Sequence, residues 1–152
     1  MARTEDEKAV KDIALRESNR RKKKYLLQYR EMLISEKNIN NQIDELRNSY
    51  ALPKSPNYDA MPHAHNTEHD LSDYVAKMDK LLMLLQRAAD KRAAIRLDIT
   101  QRIESMQSET EKNILYFRYI YGYKFADIAE RMYYTERYTL QLHGEALEHF
   151  PY

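Results

Sequence analysis

The chain has 152 residues, 32% of them charged, with two Gly, four Pro and no Cys. That length suits one ordinary domain, or a helical arm plus a small domain, and the lack of Cys excludes a disulfide framework and thiolate metal sites. No apolar run approaches the roughly 20 residues of a membrane span. The charged start, ARTEDEK, is unlike a secretory leader, and with the lack of Cys it fits a reducing cytoplasm, so a cytoplasmic location is expected.

Few breakers and abundant Leu, Ile, Met, Ala, Glu, Lys and Arg predict an all-α chain with long helices. The net charge of +1 hides an asymmetry. Residues 1–30 hold ten Lys/Arg against five Asp/Glu, whereas residues 108–152 hold five against seven. DNA-reading domains are usually basic, because phosphate neutralisation supplies much of their affinity. The acidic C-terminal segment therefore favours a protein partner on charge alone.

Residues 4–18 predict a short or frayed helix, with Thr4 as N-cap, Glu7 closing a capping box, and Val10, Ile13 and Ala14 as a thin stripe. The run NRRKKK follows. Its Arg20, Arg21, Lys22, Lys23 and Lys24 are candidate phosphate contacts, and the bland alternative is a solvated helix face. From Tyr25 to Tyr50 a seam recurs in alternating steps of four and three: Tyr25, Tyr29, Met32, Glu36, Ile39, Ile43, Leu46 and Tyr50. Only Glu36 breaks its apolar character.

Residues 51–69 predict a loop, since Pro53, Pro56 and Pro62 lack amide donors and disfavour helix before them. His63, His65 and His69 lie close in sequence. No acidic or sulfur ligand stands beside them on a rigid element, so neither a metal site nor any other cofactor is expected. A second long helix starts near Asp70. Its seam is Leu71, Met78, Leu85, Arg92, Ile99 and Met106, interleaved with Tyr74, Leu81, Ala88, Ile95 and Arg102. Arg92 and Arg102 are costly to bury unless they meet acidic partners or the seam splays. The two helices predict an antiparallel hairpin, or pairing between chains that would make a homo-oligomer. The expected organisation is a charged segment 1–24, a coiled-coil hairpin arm 25–107, and a C-terminal three-helix domain 108–152.

In that last segment Ser108 to Glu111 spell a capping box, and Gly122 is placed to end the helix that follows. Phe125 to Leu147 then read as a helix-turn-helix. Ala129 is the small residue over which the second helix crosses. Ile128, Met132, Tyr134 and Leu142 are its expected apolar core, with Thr139 at the remaining core position. The second helix would present Thr135, Glu136, Arg137, Leu140, Gln141 and Gly144 to a DNA major groove. The alternative is a helical hairpin packed into an all-α core.

The stretch ILYFRYIYGYKFADIAERM, followed by YYTERYTLQLHGEALEHF, resembles the helix-turn-helix of sigma-factor region four. It is closer still to the ArpU-type, sigma-like regulators of phages and prophages. The resemblance extends over residues 25–150, through the arm, the Met61-Pro62 loop, DLSDYVAKMDKL and LHGEAL. It implies a DNA-binding transcriptional regulator, concerned with late genes, acting on double-stranded DNA or with RNA polymerase. It also places Thr135, Arg137 and His143 on the recognition helix. Tyr133 departs from the small residue common at the turn, and Gln141 from a common cation. A second reading is an oligomeric adaptor or packaging factor whose terminal domain binds a phage protein. No enzyme is expected. Glu104, Glu109 and Glu111 are helix-surface charges, and no phosphate loop, HExxH or nucleophile elbow is present.

Overall fold

The computed structural model describes residues 2–51 and 67–152, and side chains for 8–50 and 71–152. The chain is all-α: every regular element among the described residues is helical. These are α1 (Ala2–Ala51), α2 (Thr67–Glu104), α3 (Glu109–Leu115), a π-helical turn (Tyr116–Tyr121) that prolongs α3, α4 (Phe125–Met132) and α5 (Glu136–His149).

Where the sequence predicts a short first helix, α1 runs unbroken for 50 residues. No Gly or Pro precedes Pro53, and the Lys and Arg of NRRKKK are themselves good helix formers. α2 starts three residues before the expected cap at Asp70. The Thr4–Glu7 capping box and the His63, His65 and His69 cluster lie outside the described side chains.

The chain divides into two compact units, residues 1–31 with 92–152, and residues 32–91. These limits differ from the expected divisions at 24/25 and 107/108. The basic end of α1 and the last turns of α2 belong to the same unit as α3, α4 and α5.

Residues 32–91 form a helical hairpin in which the rings of Tyr50 and Tyr74 meet at 4.4 Å. Its seam follows the predicted spacing. Met32, Glu36, Ile39, Leu46, Tyr74, Met78, Leu81, Leu85 and Ala88 are half-buried, while Ile43 is 3% exposed. Leu71, also expected on the seam, is exposed. Two helices side by side shield only the strip between them, which is why so little of this unit is fully buried.

The larger unit has a genuine core. Leu26 and Tyr29 of α1, Ile99 and Ile103 of α2, and Met106 are buried alongside Ile114, Leu115, Tyr119, Ile120, Ile128, Ala129, Leu142, Ala146, Leu147 and Phe150. Ile114, Ile128 and Leu142 form its centre, flanked by Phe117, Tyr123, Phe125 and Met132. Helices of seven and eight residues are too short to stand alone in water, so α3 and α4 depend on this packing.

The long helices supply polar ties as well. Tyr25 hydroxyl donates to the Asp98 carboxylate, and its ring packs 5.4 Å from Tyr152 and 6.1 Å from Phe150. Arg102 meets the acidic partner its seam position requires, bonding Asp98 at 3.2 Å while its guanidinium lies over the Tyr25 ring. Arg92 is half-buried.

Candidate functional site

The capping signal at Ser108 operates in part. Ser108 Oγ accepts from the Glu111 amide, but the Glu111 carboxylate turns to His149, whose Nδ1 is 3.0 Å from both its oxygens. The π turn then ends at Gly122, at φ +79°, with the Gly122 and Tyr123 amides both donating to Phe117 carbonyl oxygen. A Cβ at Gly122 would fall on the Arg30 guanidinium of α1. Glycine is demanded by the left-handed backbone, whereas the guanidinium is the far end of a flexible side chain and can swing aside.

From there the chain makes the predicted helix-turn-helix. α4 begins with Lys124 amide donating to the Asp127 carboxylate at 3.3 Å. It ends at Tyr133, a non-glycine residue at φ 57° and ψ 38°. Tyr134 amide donates back to Ala129 carbonyl oxygen at 2.9 Å, closing the turn. Thr135 is the N-cap of α5, its hydroxyl accepting from the Tyr138 amide at 3.3 Å. Ala129 is buried at the crossing, as its small size predicts, and Ile128 and Leu142 are buried with it. Thr139 is fully buried, and its hydroxyl is satisfied by donating to Thr135 carbonyl oxygen.

Tyr134 is a correction to the predicted core. It is 40% exposed, and its ring packs edge-on against Tyr138 at 5.1 Å. A phenol at the turn keeps its hydroxyl in water and buries only part of its ring.

His143 is a second correction. The resemblance places it on the recognition helix, where it does lie, but on the inner side: it is 6% exposed and points into the domain. Its Nε2 is 2.9 Å from Tyr119 hydroxyl, its ring stacks on Tyr119, and Phe125 meets it edge-on at 5.0 Å. Burial, reinforced by the charges of Lys23 and Arg118, pushes its pKa down to about 4, so the imidazole is neutral. Burial raises Tyr119 to about 12, which keeps the phenol protonated. A His at an interior position of an amphipathic helix reads the same in sequence as one on its surface. Its spacing of four from Leu147 was the available signal.

The six residues predicted to face outward are sorted plainly. Thr135, Glu136, Arg137, Leu140 and Gln141 are exposed along one side of α5, and Gly144 is half-buried with open space where a side chain would stand. Thr135 is occupied as a cap, and Gln141 Nε2 donates to Glu145 at 3.0 Å. That exposed bond between residues four apart is worth only about 0.2–0.5 kcal/mol, so Gln141 is readily recruited elsewhere.

The five cations of the basic run do not behave alike. Lys22 turns inward, donating to the carbonyl oxygens of Leu147 at 2.8 Å and Glu148 at 2.9 Å at the end of α5. Partial burial lowers its pKa, opposed by Glu148. It is thus a C-terminal cap for α5, which corrects its place among the candidate phosphate contacts. Arg20, Arg21, Lys23 and Lys24 are exposed. The bonds of Lys22 to Leu147 and Glu148 set the run beside the C-terminal end of α5.

Large exposed rings and an aliphatic side chain complete this surface: Tyr133 at 95% exposure, with Tyr134, Tyr138 and Leu140. Arg131 covers the Tyr123 ring at 4.2 Å and Arg118 the Phe125 ring at 4.6 Å, so these two cations are engaged with the fold. Among the described residues no group of His, Cys, Asp or Glu is arranged to hold a metal ion, and no helix is long and apolar enough to cross a membrane. No family model, no curated protein and no solved structure matches the chain.

Proposed function

We propose that the chain is a DNA-binding, sigma-like transcriptional regulator of a phage or other mobile element, with late genes as its expected targets. One observation carries this reading. α5 buries Thr139, Leu142, His143, Ala146 and Leu147 behind it and leaves Thr135, Glu136, Arg137, Leu140 and Gln141 open along the other side. A helix held this way offers its first turns to a major groove. Arg137 suits the paired acceptors of guanine, and Gln141 the donor and acceptor edge of adenine. Arg20, Arg21, Lys23 and Lys24 lie in the same compact unit and supply positive charge that residues 108–152 lack. The unit as a whole carries eighteen Lys/Arg against fifteen Asp/Glu.

The test is an anisotropy titration of the full chain against duplexes tiled across the late promoters of its own element. Arg137→Ala is expected to weaken the best duplex by about 1–3 kcal/mol and to relax base preference at one position. Replacing Arg20, Arg21 or Lys24 by Ala should weaken all duplexes alike, each lowering the salt slope by about 0.9. Equal affinity of wild type and Arg137→Ala for every duplex would sink the recognition-helix assignment.

A second reading, an adaptor that uses the same domain to hold RNA polymerase or a phage protein, is favoured by Tyr133, Tyr134, Tyr138 and Leu140 standing exposed at the turn and along α5. Absence of heparin binding at moderate salt would shift weight to it.

A further inference from the structure

The hairpin of residues 32–91 carries an open groove of about 570 Å³ along one flank. Each helix lines it with positions i, i+3, i+4 and i+7, a single face of α1 and a single face of α2. Leu46 and Leu81 are half-buried there, and Leu84 is exposed. The walls differ in sign. Glu45 stands on α1, and Lys77 and Lys80 stand on α2. None of these three has an ion-pair partner among the described residues.

We propose that this groove is a docking surface for a second copy of the chain, packed groove to groove about a two-fold axis parallel to the helices. Such an axis sets the α1 wall of each copy against the α2 wall of the other, so each Glu45 meets Lys77 and Lys80 of the opposite chain. A two-fold axis across the helices would instead bring Glu45 onto Glu45. The parallel axis also gives every helix two antiparallel neighbours, the arrangement of an up-and-down four-helix bundle, and it closes the assembly at two chains. Leu46, Leu81 and Leu84 from both copies then face one another in a shared core. A hairpin with one nearly fully buried apolar side chain among its described residues lacks that layer by itself. Opposite charges on the two walls make the face complementary to itself, which is the reason for choosing a second copy over a foreign helix. The inference does not rest on the DNA reading.

The experiment is sedimentation equilibrium of the full-length chain at neutral pH and moderate salt, with circular dichroism to verify helicity. The wild type is expected at twice the 18.2 kDa chain mass. Glu45→Lys, and separately the pair Lys77→Glu with Lys80→Glu, should each raise the dissociation constant at least tenfold by placing like charges opposite one another. Mixing these two variants in equal amounts should restore a two-chain species, because each then faces its complement. A monomeric wild type at tens of micromolar overturns the proposal, whether a foreign helix or another segment of the chain fills the groove. A dimer indifferent to both charge reversals, or reversed variants that stay apart when mixed, overturns it equally.

Discussion

Lys22 Nζ donates to the main-chain carbonyl oxygen of Leu147 at 2.8 Å, joining the basic run of α1 to the last turn of α5. The end of a helix leaves carbonyls without partners, and a cation placed there satisfies them and interacts favourably with the helix dipole. Lys22→Met keeps the apolar stem but loses both hydrogen bonds. We expect a loss of about 1 kcal/mol in urea denaturation, since the site is only partly buried. The exposed Arg21→Ala should stay within about 0.5 kcal/mol of wild type. Equal effects of the two would mean that the tie does not hold in solution.

The neutral His143 makes stability depend on pH. Its folded pKa of about 4 lies below the ordinary histidine value of 6.5, so the unfolded chain binds the proton more readily. Stability from this group is complete above pH ~6.5 and falls as pH drops toward ~4, where the contribution is gone, a loss on the order of 3 kcal/mol. His143→Gln, which retains a hydrogen-bonding partner for Tyr119, should flatten that part of the profile while costing stability at neutral pH. Denaturation midpoints of both proteins between pH 7 and pH 4 provide the check, and parallel profiles would count against the buried, neutral imidazole.

Gly122 should be costly to replace, because of its backbone conformation. Gly122→Ala forces a Cβ into left-handed backbone and into the space of the Arg30 guanidinium. A loss of about 1–2 kcal/mol is expected, chiefly from the backbone, since the guanidinium can move aside. Combining it with Arg30→Ala should recover little of the loss, and thermal denaturation of the single and double variants checks this.

Tyr133 presents the opposite case. It adopts φ 57° with 95% of its surface exposed, so the fold gains almost nothing from its ring to offset the strain. Tyr133→Asn, a residue more at ease in this conformation, is expected to raise stability by about 0.5–1 kcal/mol. If the ring serves the adaptor reading, the same variant should lose partner binding while gaining stability. Urea denaturation of the free chain checks this, and a destabilised variant would count against an unsupported, strained Tyr133.

The sequence by itself determined where most of the helical stretches lie, though not that α1 runs unbroken from Ala2 to Ala51. Heptad spacing placed Met32, Ile39, Ile43, Leu46, Met78, Leu81 and Leu85 on the shielded seam, because a helix repeats its faces whatever it packs against. Ser108, Gly122 and Ala129 were equally legible, since a cap, a left-handed turn and a close helix crossing each restrict residue type locally. Only the tertiary structure decided that His143 turns inward to Tyr119, that Tyr134 stays outside, and that Lys22 serves the end of α5 rather than open solvent. Periodicity says which residues share a face of a helix. It does not say which distant element covers that face, and the tie from Lys22 to Leu147 and the approach of Arg30 to Gly122 bring together residues far apart in the chain, where the spacing of neighbours carries no signal.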